Sequence, residues 1–226
     1  MHKAIEKARS ENRNLLEHEC LALLEEYGIA VPRHALVKTA EEALRAAEAI
    51  GYPVVLKIVS TDILHKSDVG GVKVGLADAD MLRAGFEEIL ANVAKNAPEA
   101  KIEGILLAES LPKGIECIIG MTRDPQLGTA LLFGLGGILV EIIEDVSLCL
   151  LPVSKAEAEN MVHSIKGYKL LAGYRGSEPC DINAIADMIM KVGRLVEENP
   201  EIAELDINPL FAAPQGATPV DVRILV

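Results

Sequence analysis

Gly51-Tyr52-Pro53-Val54-Val55-Leu56-Lys57-Ile58-Val59, with the loop Thr61-Asp62-Ile63-Leu64-His65-Lys66-Ser67-Asp68-Val69-Gly70-Gly71-Val72 just behind it, is the stretch on which the fold turns. Pro53 to Val59 is a short apolar run rich in Val and Ile and reads as a buried strand. Lys57 lies inside it, and an unpaired ammonium costs several kcal/mol to bury, so Lys57 needs an anionic partner. Two readings stay open: a strand-end lysine that snorkels to water, or a phosphate ligand. The loop sets a histidine, a lysine and a glycine pair immediately before a second predicted strand, Gly71 to Leu76. Paired glycines let backbone N–H groups approach phosphates, and an imidazole, with an ordinary pKa of about 6.5, is a competent phosphoryl acceptor. A histidine alone in a polar loop also reads as plain surface.

Outward from this stretch the chain alternates. Asn14 to Tyr27 carries Leu15, Leu16, Leu23, Leu24 and Tyr27 at helical spacing, stopped by Gly28 with Pro32 beyond. His34 to Val37 reads as a strand. Thr39 opens a helix through a capping box with Glu42 and runs to Ile50, and Asp78 or Asp80 caps another that reaches about Lys95. From Ile102 the pattern changes to consecutive strands: Gly104 to Glu109, Glu116 to Arg123, Thr129 to Leu135 and Ile138 to Leu151, expected to form a mainly antiparallel second sheet. Helices capped by Ser154 (with Glu157) and Asp181 should pack on it, and strands at Ile202 to Ile207 and Pro219 to Val226 close the chain. The expected class is α+β, with two interlocking lobes and a cleft between them.

Composition narrows the function. Of 226 residues 50% are apolar and 25% charged, an ordinary globular balance. The 34 acidic against 22 basic residues give a net charge of -12, which opposes attraction to nucleic acid or an anionic membrane, so a phosphate-bearing ligand needs a local site. Three Phe, four Tyr and no Trp supply no stacking platform for single strands. Apolar runs such as Ala130 to Phe133 and Gly136 to Val140 are too short to span a bilayer. Met1 to Asn14 has no apolar core of a secretory signal, so the cytoplasm is the expected location. Cys20, Cys117, Cys149 and Cys180 lack zinc-site spacing and read as reduced thiols.

Two nucleotide motifs are absent. Gly70 and Gly75 stand as in a P-loop, but Leu76 and Ala77 replace the Lys and Ser/Thr that must follow. Gly134-Leu135-Gly136-Gly137 lies between strands and lacks the helix of a dinucleotide fingerprint. A third constellation is Glu204-Leu205-Asp206-Ile207-Asn208-Pro209-Leu210 with Asp221 in Val220-Asp221-Val222-Arg223. Alternation puts Glu204, Asp206 and Asn208 on one face, and Asp221 on a neighbouring strand can share it. Such oxygen ligands suit Mg²⁺ on nucleotide phosphates; a hairpin with a solvated acidic face is the other reading. Glu109, Glu116 and Glu141, in or beside apolar strands, read equally as nucleotide or metal contacts and as salt-bridge partners.

Taken in order, Leu16-Glu17-His18-Glu19 to Tyr27-Gly28-Ile29-Ala30-Val31-Pro32, Gly51 to Lys57, His65 to Val72, Phe133-Gly134-Leu135-Gly136-Gly137 with Glu141, and Leu205 to Leu210 resemble the β subunit of ADP-forming acetyl-CoA (acyl-CoA) synthetases, relatives of succinyl-CoA synthetase. The resemblance covers nearly the whole chain. It implies an ATP-grasp fold, with an N-lobe of residues 20–102, a C-lobe of 1–19 and 103–226, and nucleotide in the cleft. The implied reaction converts acyl-CoA, ADP and phosphate into acid, ATP and CoA, with the acyl and CoA chemistry on an α subunit in an α2β2 assembly.

By the same resemblance His65 relays the phosphoryl group between a phosphohistidine of the α subunit and ADP, and Asp206 stabilises it. Lys57, Gly70, Gly71, Glu109, Ser110, Leu111 and Glu116 are expected to bind nucleotide, with adenine against Glu109 to Leu111. Asn208 and Asp221 are expected to hold Mg²⁺, and Arg175 to face phosphate or the α subunit. Pro125-Gln126-Leu127-Gly128-Thr129 departs from the family pattern and should cause only local repacking. Two other readings are a stand-alone ATP-grasp ligase joining an acyl phosphate to an amine, and a nucleotide-sensing domain that catalyses nothing. The first would need an acceptor domain of its own, and the second would not need His65 with Asp206.

Overall fold

A computed structural model describes residues 2–63, 65–124, 126, 128–137 and 145–226. The Val/Ile run predicted as a strand is β2 (Val54–Ser60). It lies in a four-stranded antiparallel sheet with β1 (His34–Val37), β3 (Val72–Leu76) and β4 (Ile102–Glu109), in the order β1-β4-β2-β3. Alternation along β2 sends Val54, Leu56 and Ile58 into one core with Leu82, Phe86, Ile89 and Val93 of α4 (Ala79–Asn96) and Ala43 and Ala47 of α3 (Ala40–Ile50). Truncating one of these large side chains to Ala should cost about 2–5 kcal/mol. Lys57, between Leu56 and Ile58, leaves the sheet on the opposite face.

β4 corrects the expected lobe boundary. It pairs with β1 on one side and β2 on the other, so it belongs to the first sheet and does not open the second. Its run Ile105-Leu106-Leu107-Ala108 is buried throughout. The compact units are Leu16–His18 with Pro32–Pro112, and Met1–Leu15, Glu19–Val31 and Lys113–Val226. Residues 20–31 thus fall outside the unit that holds β2, and 103–112 fall inside it.

The second unit is built on a six-stranded antiparallel sheet: β5 (Ile115–Asp124), β6 (Gly128–Leu135), β7 (Val146–Leu150), β8 (Glu204–Ala213), β9 (Gly216–Pro219) and β10 (Val222–Leu225), ordered β10-β8-β5-β6-β7 with β9 also on β8. Helices α5 (Lys155–Ser164), α6 (Tyr168–Leu171) and α7 (Ile182–Glu198) follow β7, and α5 and α7 pack against the sheet. Ile185, Ile189, Val192, Leu195 and Val196 form the stripe of α7 that is buried. Of the expected strand Ile138 to Leu151, Val146–Leu150 is seen as β7, and residues 138–144, Glu141 among them, lie outside the described residues. So do Pro125 and Leu127 of the segment that departs from the family pattern.

Helix starts follow their caps. Thr39, Asp78, Ser154 and Asp181 each accept an N–H of the first turn, and Ser154 with Glu157 completes a capping box. At Thr39 the box is displaced, because the Glu42 carboxylate takes the N–H of Lys38 at 2.7 Å. Two helices were missed from sequence. α1 (Lys3–Ser10) is charged but buries Ile5 and Ala8, three residues apart, and α6 is a single turn. Among the described residues no helix is long and apolar enough to cross a membrane.

Candidate nucleotide and phosphoryl-transfer site

Lys57 finds its anionic partner in Glu17, at the start of α2 (Glu17–Glu26). Its Nζ lies 2.6 Å from Glu17 Oε1, with Lys57 8% and Glu17 5% exposed. The other carboxylate oxygen of Glu17 stands 3.0 Å from Nζ of Lys66. Glu17 shares the buried stripe of α2 with Cys20, Leu21 and Leu24, so a carboxylate stands on an otherwise apolar face. Sequence reasoning gave Glu17 no role, although that misplaced charge was the available signal.

The loop from His65 to Gly71 is a compact turn stitched to its surroundings. The N–H groups of Asp68, Gly70 and Gly71 donate to the carbonyls of His65, Ser67 and Lys66, and Ile58 N–H takes the carbonyl of Gly71 at 2.7 Å. From α4, Asn92 and Asn96 donate to the carbonyls of Gly70 and Val69. Gly70 has φ +69°, and a Cβ there would meet the Asn92 amide at 2.7 Å; one on Gly71 would stand 2.5 Å from Ile58. This revises the expected part of the glycine pair: their amides already serve the loop's own carbonyls, and the glycines matter for close packing. His65 itself stands exposed on this anchored turn.

In the other unit, β8 behaves as alternation predicts. Leu205 and Ile207 are buried, while Glu204, Asp206 and Asn208 share the opposite face. Asp206 is opposite Gly120 of β5 and Arg223 of β10, and Asn208 donates its N–H to the carbonyl of Asp221, just ahead of β10. Pro209, which has no N–H to give, stands where the partner of β8 changes from β10 to β9 and where β5 carries a register shift. Arg223 is ion-paired with Glu204. Burial pushes the Asp206 carboxyl above the usual aspartate range; Arg223 opposes this, and the Glu204 and Asp221 carboxylates add to it.

Three negative groups near one partly buried position suit a divalent cation whose other ligands are phosphate oxygens. Asn208 and Asp221 are the residues that the family resemblance expects to hold it. Among the described residues no group of three or more His, Cys, Asp or Glu is arranged to hold a metal ion.

The remaining expected site residues are scattered. Glu109 is tied to Arg33: its carboxylate receives the guanidinium at 2.7 Å and the Arg33 N–H at 3.2 Å, which is the salt-bridge reading. Ser110 donates its N–H to Pro53, and Leu111 is half-buried just beyond β4. Glu116 is exposed in β5, and its carbonyl accepts from Gly136. Arg175 adopts φ +52° in an exposed turn clasped by Ser177 and lies 5.4 Å from the Tyr174 ring centre. All four cysteines are free, and burial pushes the Cys117 thiol up to about 12.

A strand lysine behind a short loop, two antiparallel-sheet units and an acidic strand pair define the class: the chain belongs to the ATP-grasp family, whose domain description matches residues 6–226. Within it the chain is similar to the acetate–CoA ligase [ADP-forming] I subunit beta of Pyrococcus furiosus, with 48% identity over 98% of this chain and 96% of that one. It is 44% identical to the acetate–CoA ligase [ADP-forming] I of Archaeoglobus fulgidus and spans 32% of that longer protein. A chain of the dinucleotide-forming acetyl-coenzyme A synthetase 1 of Ca. Korarchaeum cryptofilum, solved with coenzyme A, Ca-AMPCP and HgCl+, superposes with a TM-score of 0.96 at 49% identity, covering 98% of this chain and 97% of that one. The same enzyme solved with coenzyme A and Mg-AMPPCP, its phosphohistidine segment pointing towards the nucleotide-binding site, gives 0.88 at 45%, covering 99% and 98%.

Proposed function

We propose that this chain is the nucleotide-binding β subunit of an ADP-forming acyl-CoA synthetase of the acetate–CoA ligase type, working with ATP/ADP and Mg²⁺ and with an α subunit that binds CoA and acid. The observation that carries the reading is the exposed His65 on an anchored loop whose next residue, Lys66, shares the buried Glu17 with Lys57. Near-full-length similarity to a β subunit, and one-third coverage of a longer relative with the same activity, support an α partner. An α2β2 assembly and a cytoplasmic location fit this reading, the latter in keeping with four free thiols.

In the proposed relay an unprotonated imidazole nitrogen of His65 attacks phosphorus. A P–N bond forms as the bond from phosphorus to its previous carrier breaks, and the leaving group departs with that bond's electrons. Transfer to ADP is the reverse and yields ATP. Lys57 and Lys66 offset the charge of the moving phosphoryl group, and the closed turn from His65 to Gly71 holds the backbone that carries the imidazole. Asp206 is assigned to steady the phospho-imidazole. Mg²⁺, when bound by Asn208 and Asp221, would neutralise phosphate charge. Adenine is assigned to the backbone of Glu109 to Leu111, since the Glu109 side chain is engaged by Arg33.

The test is intact mass and site mapping at alkaline pH after the chain meets Mg-ATP, with and without its α subunit. An acid-labile gain of about 80 Da on His65, absent in His65→Ala together with acyl-CoA-dependent ATP formation, is the expected result. Normal turnover by the variant, with no adduct in wild type, would remove the relay and leave an ATP-grasp protein of other function.

A further inference from the structure

A carboxylate that is 5% exposed stays ionised only if its charge is met, and Glu17 meets two ammonium groups, one on each oxygen. The two lysines belong to one segment of chain. Lys57 comes from the middle of β2, and Lys66 follows His65 directly, after the chain has turned past the end of the strand. Glu17 therefore staples the two ends of the segment that carries His65. Removing its charge takes away the carboxylate that both ammonium groups share, and their mutual repulsion then works against holding the two at these positions. With it, both ammonium groups are held against one buried carboxylate.

We propose that Glu17 is a positioning residue for phosphoryl transfer at His65: it holds Lys57 and Lys66 as a fixed pair of cations that receives the oxygens of the moving phosphoryl group. The assignment rests on the reading of His65 as the phosphoryl acceptor. In the step concerned, the lone pair of the unprotonated imidazole nitrogen forms the P–N bond as the bond between the γ-phosphorus and the β–γ bridging oxygen breaks. ADP leaves with those electrons, the other nitrogen keeps its proton, and Glu17 makes and breaks no covalent bond. Its work is done beforehand, because cations already in place need not be gathered during the transfer. A preformed pair speeds the step at saturating nucleotide, which separates this role from simple nucleotide affinity.

The experiment uses the whole complex with its α subunit, in single turnovers with Mg-ATP, and follows phosphate on His65 by rapid quench. Glu17→Gln should lower the saturating rate at least 10-fold in protein that still melts cooperatively. Lys66→Met should lower it similarly, and the double variant should be no slower than the slower single, since both break one unit. A Glu17→Gln protein that melts earlier but labels at the wild-type rate per folded molecule has lost only stability and overturns the proposal. If Glu17→Gln does not fold, Lys66→Met decides, because it leaves the Glu17–Lys57 pair standing: an unchanged rate there overturns it too. Wild type that never labels on His65 defeats the parent reading and this proposal together. Wild type that labels, with variants indistinguishable from it, defeats the proposal alone.

Discussion

The two charged sites solve opposite problems. Around Lys57 the charge is buried and paired: Glu17 meets two lysines at 2.6 and 3.0 Å, and the loop behind them uses its own amides and two asparagines to close itself. Around Asp206 burial chiefly pushes the carboxyl upward; Arg223, itself ion-paired with Glu204, opposes this, and the Glu204 and Asp221 carboxylates add to it. The cationic site is complete before any ligand arrives. At the acidic one we expect a divalent cation to relieve the repulsion that the Glu204 and Asp221 carboxylates add. Histidine chemistry needs fixed neighbours, whereas a metal that arrives with a nucleotide needs oxygens placed within reach of the phosphates it carries.

The comparison breaks most sharply at His65. It is exposed, so His65→Ala should leave the melting temperature within about 1 °C while acyl-CoA-dependent ATP formation falls by about 10³-fold or more. A variant that melts early, or one that retains activity, would show the loop to be scaffold.

Asp206→Asn is next, and its signature is a split. Activity should fall about 10- to 100-fold while the protein melts about 1–3 °C higher at neutral pH, because a carboxylate held above its ordinary range makes folding less favourable when ionised. The sign follows from proton binding. The folded state binds this proton more tightly than the unfolded one, so the group adds stability as pH falls through its raised value towards the ordinary aspartate pKa of about 4. That added stability is lost as pH rises, and Asp206→Asn should flatten the melting-temperature profile in that window. A steeper profile in the variant would mean that Arg223 governs the site after all.

How much of this could be read from the chain differs between the two sites for a physical reason. The shared face of Glu204, Asp206 and Asn208 came out as expected because strand alternation is local, and one face of β8 follows from where Leu205 and Ile207 must point. Lys57 came out as a lysine needing an anion, but nothing in the sequence says which of 34 acids supplies it. Glu17 lies 40 residues away and is brought there only by tertiary packing. The boundary at Ile102 failed similarly: β4 has the same run-and-turn pattern as β5 and β6, and sheet membership is decided by pairing partners. The glycine pair was recognised, but sequence does not show that the Gly70 and Gly71 amides donate to the Ser67 and Lys66 carbonyls of their own loop.

The acidic site's dependence on a cation is the third expectation. With Mg-ADP at about 100 times its Kd, binding linkage adds about 2.7 kcal/mol, which raises the melting temperature by about 5–10 °C for a chain of this size. Asp221→Asn should remove most of the Mg²⁺-dependent part and spare the part seen with ADP alone. Equal Mg²⁺ responses in wild type and variant would place the metal elsewhere.

The smallest expected effect concerns Glu109, where the resemblance and the structure part ways. As a nucleotide ligand its carboxylate would be needed, and Glu109→Gln would weaken ADP severalfold. As the partner of Arg33 it joins the start of β1 to the end of β4, where the Glu109 N–H also donates to the Arg33 carbonyl. With Arg33 well exposed, an ion pair of this kind contributes about 0.2–1 kcal/mol. Glu109→Gln should then lower the melting temperature by about 1–3 °C and change the KM for ADP by less than about 2-fold. Arg33→Ala should match it in both measurements, and the double variant should add little. A KM shift in Glu109→Gln that Arg33→Ala does not reproduce would return the carboxylate to the nucleotide and leave the ion pair as its resting partner.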